Sequence, residues 1–337
     1  GAIGIASAGF IEGKTIVDAS NVGIKMYPLG DRIEAETGVR TFLYKDSWAP
    51  AFAVDPPEPA IIFSVGTGFG GASCEPGMKI KILGYTARHR PVWLPVLRKN
   101  DDPGYAVAFS TDEMKEIIRS AAERCGEKTI LRADAKKIAG ELHAEAGRRR
   151  KLVPGLPMYL AAKALAPEAV AGWRPGEVFA DFPGCASFPA VIYELITGEK
   201  IKPQELDTLL AAGDPAAVCS AVVQAEFLAC ILLEMQRERT EFELPPAGLI
   251  YGTGSGYNET THLFLGTAIA DALNRRAEKA KLTLPIPESI KLVSPPGPGA
   301  TLAAAGAAVG AWRGIKIQWP VDREKIKAHS RKLEAEN

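Results

Sequence analysis

The sequence predicts an α/β protein of two lobes with a ligand cleft between them. Three observations carry that expectation. Short apolar runs of strand character alternate with amphipathic helical stretches along much of the chain. Two of those runs, 61–65 and 249–251, end in closely similar turns, Gly66-Thr67-Gly68-Phe69-Gly70-Gly71 and Gly252-Thr253-Gly254-Ser255-Gly256. The 337 residues suffice for about two domains of ordinary size.

In chain order, 2–6 reads as a short buried strand, and 14–17 continues as strand after the turn at Glu12-Gly13. Residues 29–37 suit a short helix and 40–44 a strand, with Asp46 just past its end. Residues 48–54 read as helical up to Pro56-Pro57, which with Pro59 marks a hinge. Strand 61–65 runs straight into the first Gly turn. The stretch 76–110 is rich in Pro and Gly with short strands. Ser110, with Glu113 three residues on, starts a helix as a capping box, and a second helix spans 134–148. Residues 152–203 are irregular. Asp214-Pro215 is an N-cap followed by Pro at the first helical position. The helix it opens runs to about residue 237 with apolar residues on more than one face, so it is expected to be mostly buried. After 249–251 and the second Gly turn, a helix spans 261–281 and a strand 289–293. Residues 295–299 turn sharply, 300–312 form an Ala/Gly helix suited to close packing, and 322–337 read as a charged surface helix. No repeat of solenoid period occurs.

Composition narrows the function. Despite 33 glycines and 25 prolines, 47% of the chain is apolar and 24% charged, the balance of a folded, turn-rich protein. Lys+Arg and Asp+Glu both number 40, which argues against a broad basic field for nucleic acid. Arg148-Arg149-Arg150-Lys151 is one local cluster, read as a solvated helix end. The most apolar stretch, 218–235, is broken by Gln224 and Glu226, so no membrane partner is expected. The N-terminus lacks the basic flank of a signal peptide. It also lacks Met and opens in a strand pattern, so a preceding segment is expected. Cys74, Cys125, Cys185, Cys219 and Cys230 form no C-x-x-C pair. Neither a disulfide framework nor a metal site is expected, and the compartment reads as reducing cytoplasm.

Four motifs bear chemistry. Ala8-x-x-x-x-Gly13-Lys14-Thr15 fits the loosest form of a P-loop and follows a strand. A P-loop must open a helix whose N–H groups face the phosphates. Here Ile16-Val17-Asp18-Ala19 reads as strand, so Lys14 is expected to be exposed on a hairpin. In the Gly66–Gly71 turn, glycines let backbone N–H groups approach an anion and Thr67 adds a hydroxyl. The Gly252–Gly256 turn repeats that chemistry. Either turn alone is as readily structural, whereas the two together suit a nucleotide held at both ends. Asp46, at the carboxyl end of a strand, projects where α/β folds bind ligands. It suits a general base, or equally an N-cap for helix 48–54.

In order, these residues resemble the ROK and bacterial glucokinase families of the actin/Hsp70/hexokinase superfamily. Ile3-Gly4-Ile5-Ala6-Ser7-Ala8-Gly9-Phe10 is similar to the strand and turn those kinases write as G-I-A-x-P-G, and Asn21-Val22 to their Asn-Leu. Asp46 falls where the family places its catalytic Asp. Ile62 to Gly70 resembles the second phosphate motif. Gly252–Gly256, with the small-residue helix 300–309, resembles the adenosine motif and its closing helix. Tyr193-Glu194-Leu195-Ile196 and Ala212 to Ala217 look like the glucokinase dimer-side helices.

The resemblance implies an actin/hexokinase-like (ribonuclease H-like) fold. Its N-terminal lobe spans 1–58, rejoined by 313–337, and its second lobe spans 59–312. It implies an ATP-dependent sugar kinase with Mg²⁺ on the phosphates and Asp46 as general base. Gly66, Thr67, Gly68 and Gly70 would lie on the phosphates, and Gly252, Thr253, Gly254 and Ser255 near the adenosine. Asn21, His89 and Asp181 would contact the sugar, and a homodimer is possible for such a chain. Departures from the family point to rivals. The Asp-x-Gly-Gly-Thr hairpin expected before residue 1 is not in this sequence, nor is the zinc-bearing Cys cluster of many ROK proteins. The Asn-Asp pair is Lys45-Asp46, and the Glu-x-Gly-His sugar clamp survives at best as Gly84 to His89, without its Glu. An ATPase of the superfamily, or a non-catalytic relative acting on a protein partner, are the alternatives.

Overall fold

The computed structural model describes residues 1–8, 10–19, 23–66, 69–77, 79–81, 108–109, 111–126, 136–142, 144–145, 178–179, 184–241, 244–294 and 301–315. The expected helix 322–337 and turn 295–299, with much of 76–110 and 152–203, lie outside them, while 136–142 and 144–145 of the expected helix 134–148 are helical.

The N-terminal part pairs strand β1 (Ile3–Ser7) in parallel with β5 (Thr41–Lys45). Between them β2 (Phe10–Glu12), β3 (Thr15–Ala19) and β4 (Ile24–Tyr27) form an antiparallel meander. Helix α1 (Leu29–Thr37) leads into β5 and ends at Gly38, whose positive φ of 68° closes the last turn through its N–H on Glu34 O. The meander and β5 share a small core of Ile11, Ile16, Ala19 and Leu43.

Beyond the short helix α2 (Pro50–Val54), β6 (Ala60–Val65) starts a five-stranded sheet. Its antiparallel side is β7 (Phe69–Glu75) and β8 (Lys79–Lys81), and its parallel side is β11 (Leu249–Thr253) and β12 (Lys291–Leu292). Strands β9 (Ala108–Phe109) and β10 (Val178–Phe179) form a separate antiparallel pair. Helices of this part include α3 (Thr111–Arg124), α4 (Phe188–Thr197), α5 (Pro203–Ala211), α6 (Pro215–Glu241), α7 (Glu259–Lys279) and α8 (Leu302–Trp312).

Strand β6 is apolar nearly throughout because both sheet faces are covered. Ile61, Phe63 and Val65 enter the large core with residues of α3, α4, α6 and α7, while Ala60 and Ile62 enter a second core with α2 and α8. The period of two thus sorts one strand between two cores. Helix α6 lies in the middle of the first. Asp214 Oδ1 accepts from Ala217 N at 2.9 Å, the expected N-cap. By length and apolar content α6 is one helix that could cross a membrane. Its polar residues instead find partners inside the protein. Gln224 donates to Cys185 O, Gln236 bonds Ala247, and buried Glu226 pairs with Arg275 and Arg276 of α7. Arg239, fully buried near its end, reaches Ser73, Glu75 and Pro245 O. Of the five cysteines, none is paired in a disulfide.

Helix α8, expected at the end of the second lobe, packs on β1, β5 and α2 of the N-terminal part. The cause is its glycine-and-alanine face. A Cβ on Gly306 would strike the carbonyl of Ala49, and one on Gly4 the carbonyl of Ala307, so backbones meet where side chains would otherwise intervene. Tyr44 Oη donates to Ile315 O at 2.8 Å and ties the end of this helix to β5.

Candidate active site

The two Gly turns stand side by side because the strands carrying them are neighbours. β6 and β11 run parallel with Ser64 opposite Thr253, so both leave the sheet at the same edge. Gly256 N donates to Val65 O at 2.9 Å, and a Cβ on Gly256 would lie 2.6 Å from Val65 Cγ1. Gly254 has a φ of +105° with its absent Cβ aimed at the backbone of Val65. Only glycine takes that conformation without strain. The two turns therefore share one cleft.

They differ in the groups they offer to a ligand. Gly66 is half-buried with open space where a Cβ would be. Thr67 and Gly68 lie outside the described residues. Gly70 faces Ser47, whose Cβ would be 2.6 Å from a Cβ there. In the second turn, Gly252 and Thr253 are buried inside β11, with Gly252 under the rings of Tyr257 and Phe63. Gly254 and Ser255 are the exposed part.

The contact of Gly70 with Ser47 brings Asp46 to the first turn. Asp46 N donates to Ser7 O at 2.9 Å, which fixes the residue at the joint end of β1 and β5. Its Oδ1 accepts from Ser47 N at 2.8 Å. The capping alternative does not hold: α2 starts at Pro50 with Ala49 as N-cap and no side-chain cap bond. Asp46 is exposed at its surface, yet surrounding atoms strip its carboxyl of water and push its pKa above the ordinary 3.8. Nearby Lys45 and the Ser47 N–H pull the other way. The Lys45 ammonium itself lies 5.3 Å from the centre of the Trp48 ring.

The solved structures to which this chain is similar are largely ROK-family sugar kinases. A ROK hexokinase from Thermus thermophilus is 17% identical with a TM-score of 0.49, over 93% of this chain and 79% of that one. A ROK-family glucokinase from Streptomyces griseus, solved with glucose and AMPPNP, is 15% identical with a TM-score of 0.45, over 93% and 82%. A ROK-family transcriptional regulator is 15% identical with a TM-score of 0.47, over 91% and 62%. No family model matches the chain, and no curated protein does.

Lys14 is placed as its strand context predicts. Gly13 turns the hairpin at φ +58°, Thr15 starts β3, and Lys14 Nζ bonds Glu34 Oε2 at 2.5 Å with Asp31 at 3.6 Å. It faces α1 and takes no part in the cleft. Asn21, His89 and Asp181, the expected sugar contacts, lie outside the described residues. Two side chains at the cleft, Asn258 and Asp207, belong to none of the sequence motifs. Asn258 caps α7, its Oδ1 accepting from Thr260 N at 2.9 Å and Thr261 N at 3.1 Å. Its Nδ2 donates to Asp207 Oδ2 of α5 at 3.2 Å and to Ser255 O at 3.0 Å. The signal for the cap is present in the sequence: an Asn three residues ahead of Thr261, the Asn side chain accepting from the first-turn N–H groups and the Thr hydroxyl accepting from Asn258 N, as in a capping box.

Among the described residues no three His, Cys, Asp or Glu side chains gather to hold a metal ion.

Proposed function

We propose that the protein is an ATP-dependent sugar kinase of ROK type, with ATP in this cleft and Asp46 as general base. The observation that supports the reading is the packing of Ser47, the residue after Asp46, against Gly70 at the end of the first turn. The order of the motifs along the chain supports it, as does the adjacency of the second turn. In this reading the backbone of the first turn holds the β- and γ-phosphates, and the second turn lies toward the nucleoside. A sugar hydroxyl attacks the γ-phosphorus, its proton passes to an Asp46 oxygen, and the bond from phosphorus to the ADP oxygen breaks. Asp46 and the described turn supply orientation and proton acceptance, while Mg²⁺ would neutralise charge on the phosphates.

The test is ATP turnover by the full chain against a panel of aldoses, ketoses and N-acetylated sugars. Sugar-dependent ADP release with a phosphorylated sugar is the expected result. ADP release that ignores sugar would replace the kinase with an ATPase. ATP binding without turnover on any sugar would leave a non-catalytic relative.

A further inference from the structure

Strand β5 divides its side chains between two cores. Leu43 enters the small core under the meander, while Tyr44 packs with α2 and α8. Lys45, two residues on from Leu43, therefore leaves the strand on the meander's face, at its carboxyl end. It stands opposite Ser7 in the parallel register and next to Asp46. Its carbonyl accepts from Trp48 N and Ala49 N, both at 3.0 Å, and this tight turn sets the buried Trp48 ring against the ammonium. A ring face meets one side of an ammonium and leaves N–H donors for an anion. Among the described residues Lys45 forms no ion pair and no hydrogen bond. Yet it is half-buried, so part of its hydration is lost. Lys14, on the β2–β3 hairpin, shows the ordinary arrangement, with Glu34 and Asp31 as counter-ions. The Lys45 charge reaches Asp46, where it pulls against the rise in the carboxyl's pKa.

Two anions can meet this ammonium in a sugar kinase: the transferred phosphoryl group, or an acidic group on the sugar. The placement favours the sugar. Ser47 is the residue that meets the turn proposed for phosphate, at Gly70, whereas Lys45 leaves β5 on the side of the meander. A general base touches the attacking hydroxyl, so a cation beside it faces the molecule that carries that hydroxyl. We propose that the substrate is an anionic sugar, one bearing a carboxylate or a phosphate, and that Lys45 is the residue that selects it. This rests on the proposed kinase role of Asp46. The selection follows from charge. A partly dehydrated ammonium gains a charge-assisted hydrogen bond from an anion, and a neutral hydroxyl satisfies it less well. The same anion would offset the pull of Lys45 on Asp46, so the carboxylate becomes a stronger base when the matching substrate is seated.

Steady-state kinetics of the full chain on matched sugars tests it. Glucose, galactose and mannose are compared with their uronates, aldonates, 1-phosphates and 6-phosphates, so that each acidic group is tried with other hydroxyls left free. The uronates and aldonates report a carboxylate, and the sugar phosphates a phosphate. The proteins are the wild type, Lys45→Met, Lys45→Gln and Lys45→Arg, each checked by thermal melting. In the wild type an acidic sugar should exceed its neutral parent in kcat/KM by about tenfold to a hundredfold. Lys45→Met should bring that ratio toward one, and Lys45→Gln carries the test if the Met variant does not fold. Lys45→Arg keeps the charge and should keep much of the preference. The wild-type ratio should also shrink as salt rises, because the pair is only partly buried. A neutral sugar used as well as every acidic partner overturns the inference, as does a preference that survives Lys45→Met. So does a variant that raises the KM for ATP and leaves the ratio alone, which would give Lys45 to the phosphates. In each of these cases phosphorylated sugar still forms and the kinase reading stands. No phosphorylated product from any sugar would instead remove that reading and the inference with it.

Discussion

The two Gly-Thr-Gly turns are nearly alike in sequence but lead into different structures. After Gly66–Gly70 the chain reverses into the antiparallel strand β7, with Val65 opposite Phe69. After Gly252–Gly256 it enters helix α7, and Asn258 occupies the first free N–H groups of that helix. The first turn thus keeps Gly66 open toward the cleft. In the second, each of three glycines is dictated by an atom nearby: Tyr257 and Phe63 at Gly252, the Val65 backbone at Gly254, Val65 and Ala186 at Gly256. A shared motif therefore carries two physical roles. At Gly66 the first turn leaves space open, and the second uses glycine mainly to bring strand and helix together.

The largest expected effect sharpens the functional side of that contrast. If Asp46 takes the proton beside the open turn, Asp46→Asn should lower turnover by roughly 10²–10⁴, about 3–5 kcal/mol of transition-state stabilisation, with ATP affinity little changed. Steady-state kinetics on the sugar found by the panel, with a separate ATP titration, measures both. The acid limb should lie above the ordinary carboxylate range, because desolvation raises the pKa of Asp46. Only the ionised form accepts a proton, so activity is lost as pH falls through that raised value. Wild-type turnover in Asp46→Asn would remove the base from the proposal.

Next in size is a pair that separates the turns. Gly254→Ala forces a side chain into φ +105° and against the Val65 backbone. Strain and clash together should cost about 2–4 kcal/mol of stability. Gly66→Ala meets open space and should leave the melting temperature near the wild type while weakening ATP. Denaturation curves and ATP titrations of the two variants check the contrast. Equal destabilisation by both would mean that the turns do the same job.

Much of this arrangement was legible in the sequence, for local reasons. Apolar runs 61–65 and 249–251 were legible as strands because strands covered on both faces are apolar at nearly every position, while their pairing is made only in the fold. Asp214-Pro215 gave the start of α6 through cap chemistry. The place of α8 was harder to read. Its small residues announced close packing but not the partner, and the contacts at Gly4 and Ala49 are made by residues hundreds of positions away along the chain. Asp207 was hidden for the same reason. On an amphipathic stretch it reads as one more solvated carboxylate, and only folding brings Asn258 to it. The capping role of Asp46 yields because the chain makes an extra turn over 46–49 before α2 begins.

A smaller effect tests the cap of the second turn. Asn258→Ala removes the acceptor for Thr260 N and Thr261 N, so it should cost about 1 kcal/mol of stability. It also frees Asp207 from its donor. Asn258→Asp restores the cap but sets a second carboxylate beside Asp207. Stability should therefore recover less than capping alone predicts, and the deficit should shrink at acid pH as the pair gains a proton. Melting curves at two pH values distinguish a cap from a cap coupled to Asp207.

The smallest expected effect concerns the third glycine turn, the one that imitates a P-loop. Lys14 sits on the β2–β3 hairpin, and its ammonium is engaged by Glu34 and Asp31 on α1. The Glu34 hydrogen bond raises the pKa of Lys14, and the same bond lowers that of Glu34. Both groups therefore stay charged at neutral pH and satisfy one another. A phosphate would have to displace Glu34 to reach this lysine, and no helix N-terminus opens beside it to share the load, because Thr15 begins a strand. Lys14→Ala should thus leave ATP affinity within about twofold of the wild type. The change should be felt locally instead, where Glu34 also accepts from Thr41 N and so joins α1 to β5. Amide exchange at Thr41 reports that local loosening, and an ATP titration reports the cleft. A tenfold loss of ATP affinity in a variant that melts like the wild type would return the phosphates to Lys14 and take them from the turn at Gly66.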